Sequence, residues 1–206
     1  MKTKFKEFLL KQEEQQRTTL ILLESYLDNK MSSKLSMLPF FQALAPLMVP
    51  EMRVAHRVIE SFKNLQYYTD RENGLIWQDP ATMDAQIIYL SFHGLESGKI
   101  QTQLNDISLD EMIEAFKGHD DKLLFFQACS LFRDEANAKK FLSETGVRAI
   151  AGYSEDFWTL DGIVTAYLFL NLFDSFLDPF NHLEEIYQSV IIAFPIAWGY
   201  GFKLFQ

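Results

Sequence analysis

Apolar residues along the chain cluster into short continuous runs separated by polar, helix-patterned stretches. Thr19-Leu20-Ile21-Leu22-Leu23, Gln86 to Phe92, Leu123 to Ala128 and Val147 to Ala151 are such runs. Each is too short for a core helix and too uniformly apolar for a half-exposed strand, so each predicts a strand buried on both faces. Met52 to Val58 reads as a further strand, with the start of a helix as its alternative, and Phe202 to Phe205 as a closing one. Helical segments lie between them. Residues 2–17 read as a charged helical extension. The Ser32-Ser33 pair precedes a helical pattern from about Leu35 to Met48, interrupted by Pro39 and Pro46 and stopped by Pro50. A helix runs from about Glu60 into the seventies, and Asp79-Pro80 is a turn.

Gly94 to Asn105 is polar and contains glycine, which predicts a hairpin-like excursion. Ser108-Leu109-Asp110-Glu111 has the form of a capping box opening a short helix that ends at Lys117-Gly118. Asp134 to Glu144 is a charged helix stopped by Gly146. A long apolar helix, about Phe157 to Phe176, is broken by Asp178-Pro179, and one more helix precedes the last strand. Strands alternating with helices predict an α/β fold. It is a three-layer, Rossmann-like sandwich with a mostly parallel sheet of about six strands and helices on both faces. No internal repeat or linker divides the 206 residues, so residues 1–206 read as a single domain with 1–17 as its extension.

Charge narrows the function classes. The formal net charge is -9, with 28 Asp and Glu against 19 Lys and Arg. A nucleic-acid partner needs a basic stripe, and an anionic membrane surface attracts basic segments, so neither fits. Gly162 to Phe173 is too short to span a bilayer. Ile186 to Phe205 is interrupted by Gln188, Pro195, Gly199, Gly201 and Lys203, and reads as core. The basic start Met1 to Glu7 is followed by Lys11-Gln12-Glu13-Glu14-Gln15-Gln16-Arg17 rather than an apolar signal core. One cysteine allows no internal disulfide, and the expectation is a cytoplasmic protein.

That cysteine is the most informative residue. Cys129 ends one buried run, Leu123-Leu124-Phe125-Phe126-Gln127-Ala128-Cys129, and His93-Gly94 ends another, Ile87-Ile88-Tyr89-Leu90-Ser91-Phe92. Two parallel strands ending this way bring an imidazole and a thiol to the carboxyl edge of a sheet, where open α/β folds bind ligands. A thiol needs a base, which His93 supplies, and a place for the oxyanion. The backbone N–H groups of Gly94 and Cys129 are the candidate donors. Taken alone, a cysteine at a strand end is a small buried hydrophobe and a histidine there is a backbone partner. His56 reads as structural, while His119 before Asp120-Asp121 and His182 fall in solvated polar turns. No zinc-ligand spacing, phosphate-binding loop or dinucleotide fingerprint occurs, so no metal and no cofactor is expected.

The segment from Ile87 to Phe157 resembles the caspase-like cysteine peptidases, the group that includes caspases, metacaspases, separases and CHAT-type proteases. The residues carrying the resemblance are Leu90-Ser91-Phe92-His93-Gly94-Leu95-Glu96, then Ile107-Ser108-Leu109, then Lys122 to Cys129. Gln127-Ala128-Cys129 matches the start of the caspase box. Gly146 to Tyr153 looks like the strand that follows the cysteine helix in CHAT-type proteins, and the layout is most similar to small bacterial caspase-fold proteins. The sequence departs from the family where Ser130-Leu131 replaces its x-Gly, where Phe92 intervenes between Ser91 and His93, and where no cleavable linker follows the cysteine strand. His93 and Cys129 are 36 residues apart, against about 50 in caspases.

The resemblance implies a cysteine endopeptidase with a His93–Cys129 dyad acting on a peptide or protein substrate. A non-catalytic caspase-fold module with a regulatory protein partner, or a small-amide hydrolase, are the alternatives. It also implies that Gln127 points toward the pocket for the residue before the scissile bond. Ser154-Glu155-Asp156 falls in the loop that would complete that pocket, with no arginine expected nearby. Two carboxylates there attract Lys or Arg; the alternative is that they complement the dipole of the following helix.

Overall fold

The computed structural model describes residues 19–25, 36–48 and 51–206. The helical extension expected over 2–17, the Ser32-Ser33 start and the Pro50 stop lie outside the described residues. The expected strands and helices form in order, except that the helix expected from Glu60 forms as two and a short extra helix precedes the last strand. They are β1 (Thr19–Glu24), α1 (Leu38–Leu44), β2 (Arg53–Val58), α2 (Phe62–Thr69), α3 (Leu75–Gln78), β3 (Ile87–Ser91) and β4 (His93–Gly94). Then come β5 (Lys99–Gln101), β6 (Asp106–Ser108), α4 (Leu109–Phe116), β7 (Leu123–Gln127), α5 (Glu135–Thr145) and β8 (Ala149–Tyr153). The chain closes with α6 (Thr159–Ser175), α7 (Leu183–Ala193), α8 (Ile196–Gly199) and β9 (Phe202–Phe205).

Six strands form one sheet in the order β2-β1-β3-β7-β8-β9, all parallel except β9, which runs antiparallel to β8. Strand alternation sorts the side chains onto two faces. Ile21, Leu23, Ile88, Leu90, Leu124, Phe126 and Ile150 enter one core with residues of α2 to α5. Leu20, Leu22, Ile87, Tyr89, Leu123, Phe125, Ala149 and Ala151 enter the other, with residues of α1, α6, α7 and α8. The three-layer arrangement follows directly from that sorting, because every central strand has an apolar side chain for each face.

Local signals set the ends of the elements. Ser108 caps α4 reciprocally with Glu111, and Ser108 holds the Glu111 carboxyl below its ordinary acidity range. Gly146 ends α5 in the left-handed region at φ 73°, which a glycine adopts without a Cβ clash. β4, β5 and β6 make the expected excursion, a separate three-stranded antiparallel sheet. β8 starts and ends two residues later than its apolar run, because Ile150 to Tyr153 pair with β9. Among the described residues no helix is long and apolar enough to cross a membrane.

One expectation is corrected. His119 does not lie in a solvated turn: Asp120 and Asp121 are exposed, but the imidazole is completely buried. It packs edge-on to Trp77 and Phe116, with Nε2 2.7 Å from the Thr69 carbonyl. Burial disfavours the imidazolium and lowers its pKa to about 4. The unfolded chain takes up that proton near pH 6.5, so stability is intact above that pH. It falls as the pH drops toward 4, by about 3 kcal/mol in the limit. Urea midpoints measured between pH 7 and pH 4 should show this loss, and His119→Phe should flatten it.

Candidate active site

β3 and β7 are hydrogen-bonded neighbours in parallel register, with Ser91 opposite Gln127. The Phe92 N–H donates to the Gln127 carbonyl at 3.1 Å and carries the ladder one residue further. His93 and Cys129 each stand two residues beyond a register pair, so both leave the sheet at the same level of its carboxyl edge. Phe92 is buried in the core on the α2-to-α5 side.

Gly94 rests directly on the cysteine backbone. A Cβ at position 94 would lie 1.8 Å from the Cys129 carbonyl oxygen and 2.5 Å from its nitrogen. Only a residue without a side chain fits there. The excursion explains how Gly94 can also offer its amide. Leu95 N–H donates to the Lys99 carbonyl at 2.8 Å. In an antiparallel pair the hydrogen-bonded positions alternate, which leaves Gly94, opposite Ile100, with an N–H that the ladder does not use. The Cys129 N–H interacts with its own sulfur. The next amide, Ser130 N–H, is taken by the Glu155 carbonyl at 3.2 Å.

The thiol is half-buried, and its hydrogen bond runs to the Phe157 carbonyl at 4.0 Å, a long contact. Among the described residues no hydrogen bond joins Cys129 to His93, whose side chain is exposed. Burial pushes the Cys129 thiol up from its ordinary acidity. The Asp156 charge adds to it.

The four residues expected to contact substrate have different surroundings. Gln127 is buried. Its Oε1 accepts from the Tyr89 hydroxyl at 2.7 Å, while its Nε2 has no partner among the described residues. That amide lies against Gly162 of α6, where a Cβ would stand 2.4 Å from Nε2 and 2.4 Å from the Phe157 ring. Ser154 is buried and donates its amide to the Gly201 carbonyl at 3.0 Å, fixing the approach to β9. Glu155 and Asp156 are exposed. Asp156 accepts at Oδ1 from the Ser130 hydroxyl at 2.7 Å.

Three neighbours of the thiol escape the sequence reading. Ser130 is buried and has φ 56°, and it is the single non-glycine residue with positive φ among the described ones. Such a backbone costs of order 1–3 kcal/mol unless its surroundings hold it. Arg133 donates from Nη2 to the Ser130 Oγ at 2.9 Å. The expectation of no arginine near the Asp156 loop is therefore corrected: the turn after Cys129 folds Arg133 back two hydrogen bonds from Asp156. Phe157 lies over Tyr153, ring centroids 4.0 Å apart. The absence of glycine from Ser130-Leu131 directly after the buried strand was the available signal, because a sharp turn without glycine has to be held by side chains. No group of three or more His, Cys, Asp or Glu among the described residues is arranged to hold a metal ion.

The Gly94 contact is a testable constraint. Gly94→Ala should force β4 away from the end of β7 and destabilise the protein by more than the roughly 1 kcal/mol of an average substitution. Equilibrium urea unfolding measures the loss.

A comparison with curated proteins gives no match. A protein-family model described as a family of unknown function, DUF6642, matches residues 17–204. The α/β chain, with Gly94 seated on Cys129, belongs by that match to the DUF6642 family.

Proposed function

We infer that the protein is a cytoplasmic cysteine peptidase of the caspase-like type, acting on a peptide or protein substrate through His93 and Cys129. One observation carries the reading. Two register-matched parallel strands end together, and Gly94 packs on the backbone of Cys129 with no side chain between them. In the reaction His93 takes the thiol proton as Sγ attacks the scissile carbonyl carbon. The oxyanion is met by the N–H groups of Gly94 and Cys129, neither of which is used by the surrounding ladders. His93 then returns the proton to the leaving amine, and water hydrolyses the thioester with the same histidine as base. Gln127, Ser154, Glu155 and Asp156 are the proposed surroundings of the residue before the scissile bond. The carboxylates of Glu155 and Asp156 favour Lys or Arg there.

A second reading has its own support. The raised Cys129 pKa and the contact with Phe157 suit a resting thiol in a non-catalytic module that engages a regulatory partner. Peptidyl electrophiles with a basic terminal residue separate the two. The peptidase should be labelled at Cys129 and should cleave a positional-scanning library after Lys or Arg. Cys129→Ala should abolish turnover with little change in thermal midpoint, and His93→Ala should abolish turnover and slow labelling. A folded protein that neither labels with peptidyl electrophiles nor cleaves any library member supports the module instead.

A further inference from the structure

The segment Ser154 to Phe157 passes over the cysteine and is fastened at the residue next to it. Two bonds make the fastening, and a third braces Ser130 from its own side. The Glu155 carbonyl accepts from the Ser130 N–H at 3.2 Å, Asp156 Oδ1 accepts from the Ser130 hydroxyl at 2.7 Å, and Arg133 Nη2 donates to that same hydroxyl at 2.9 Å. Immediately beyond the fastening, the Phe157 carbonyl is the acceptor for the thiol. The Phe157 ring fills the space between Tyr153 and Gly162, against the Gln127 side chain.

Two features mark this arrangement as one member of a pair of states. Ser130 holds a left-handed backbone that a non-glycine residue keeps only under constraint, and the constraint is the segment itself. The buried Gln127 Nε2, which shares its contact with Gly162 with the Phe157 ring, has no acceptor among the described residues, a cost that the closed arrangement leaves uncompensated. Withdrawing Phe157 would let that donor reach an acceptor from an incoming polypeptide and would free the thiol from the carbonyl. Asp156 is exposed, so its bond to Ser130 can exchange with water at little cost.

We propose that Ser154 to Phe157 is a latch, closed by the hydrogen bonds from Ser130 to Glu155 and Asp156, that keeps the Cys129 thiol engaged with the Phe157 carbonyl until the segment moves. As control of catalysis the latch rests on the peptidase reading; as a closed state of the thiol it is measured without it. Asp156, Ser130 and Arg133 are positioning residues in this scheme and do not touch the reacting atoms.

The test is alkylation of Cys129 by iodoacetamide, followed as a rate against pH in the intact chain. The plateau at high pH reports access to the thiol, and the midpoint reports its acidity. Ser130→Ala, which keeps every charge, should raise the plateau rate about fivefold, the factor that one hydrogen bond contributes to an opening equilibrium. Asp156→Ala should raise it similarly. Asp156→Asn keeps an acceptor but loses the charge, so it should shift the midpoint while leaving the plateau near that of the unaltered protein. Plateau rates unchanged in both alanine variants would overturn the latch, as would equal plateaus in Asp156→Asn and Asp156→Ala. Thermal midpoints establish that each variant is folded. Ser130→Gly, which adopts the left-handed turn without strain, gives a second folded form lacking the hydroxyl and should behave as Ser130→Ala does. Repeating the series in His93→Ala separates the two ideas. Loss of the peptidase reading leaves the plateau ratios intact, whereas loss of the latch removes them whether or not the protein cleaves peptides.

Discussion

The parallel ladder between β3 and β7 is the constraint on which the candidate site depends. Both strands are buried on both faces, so their register cannot slip by one residue without turning Tyr89 and Phe125 into the wrong core. With register locked, the residues that follow must emerge side by side. Phe92 secures the exit by burying its ring on one face and donating its amide to Gln127. The bare α-carbon of Gly94 then lets the chain settle on the Cys129 backbone.

The same edge carries a row of buried polar groups that an apolar sheet would not be expected to contain. Glu24, Ser91 and Gln127 lie in register across β1, β3 and β7 on the side that faces α6. Glu24 is satisfied by the Met37 amide and by His56 Nε2, each at 2.7 Å, and by the Ser36 hydroxyl, so it anchors the start of α1 and draws β2 into place. The Tyr89 hydroxyl serves Gln127, and burial raises its pKa well above the ordinary phenol value, with the nearby Tyr153 and Glu24 adding to the effect. Ser91 Oγ and Gln127 Nε2 have no partner among the described residues. Orphaned groups of this kind are uncommon in a packed interior, and both lie at the end of the strands that leads to the cysteine.

Charge and packing act in the same direction at the thiol. Half-burial and the Asp156 carboxylate both hold Cys129 in its neutral form. The arginine two hydrogen bonds away is turned toward Ser130 and engaged in holding the loop. A thiol in these surroundings needs either a base brought to it or a change in the covering segment before it becomes a strong nucleophile, since the thiolate is the reactive form.

Continuous apolar runs were enough to read the central strands, the mostly parallel sheet and the three layers, because a doubly buried strand has few other ways to be written. The capping box at Ser108, the glycine stop at Gly146 and the excursion after Gly94 were also local signals, carried by residues within a few positions of one another. The sequence also determined that His93 and Cys129 share an edge, since each ends a buried run. Only the tertiary structure decided their surroundings. His119 looked solvated beside Asp120 and Asp121, yet Trp77, over 40 positions away, covers it. Arg133 and Asp156 meet at Ser130 only because the chain reverses in a left-handed turn and β8 carries its loop back over β7. Secondary structure is set by neighbours along the chain, whereas burial, ion pairing and thiol acidity are set by neighbours in space, which periodicity and spacing do not encode.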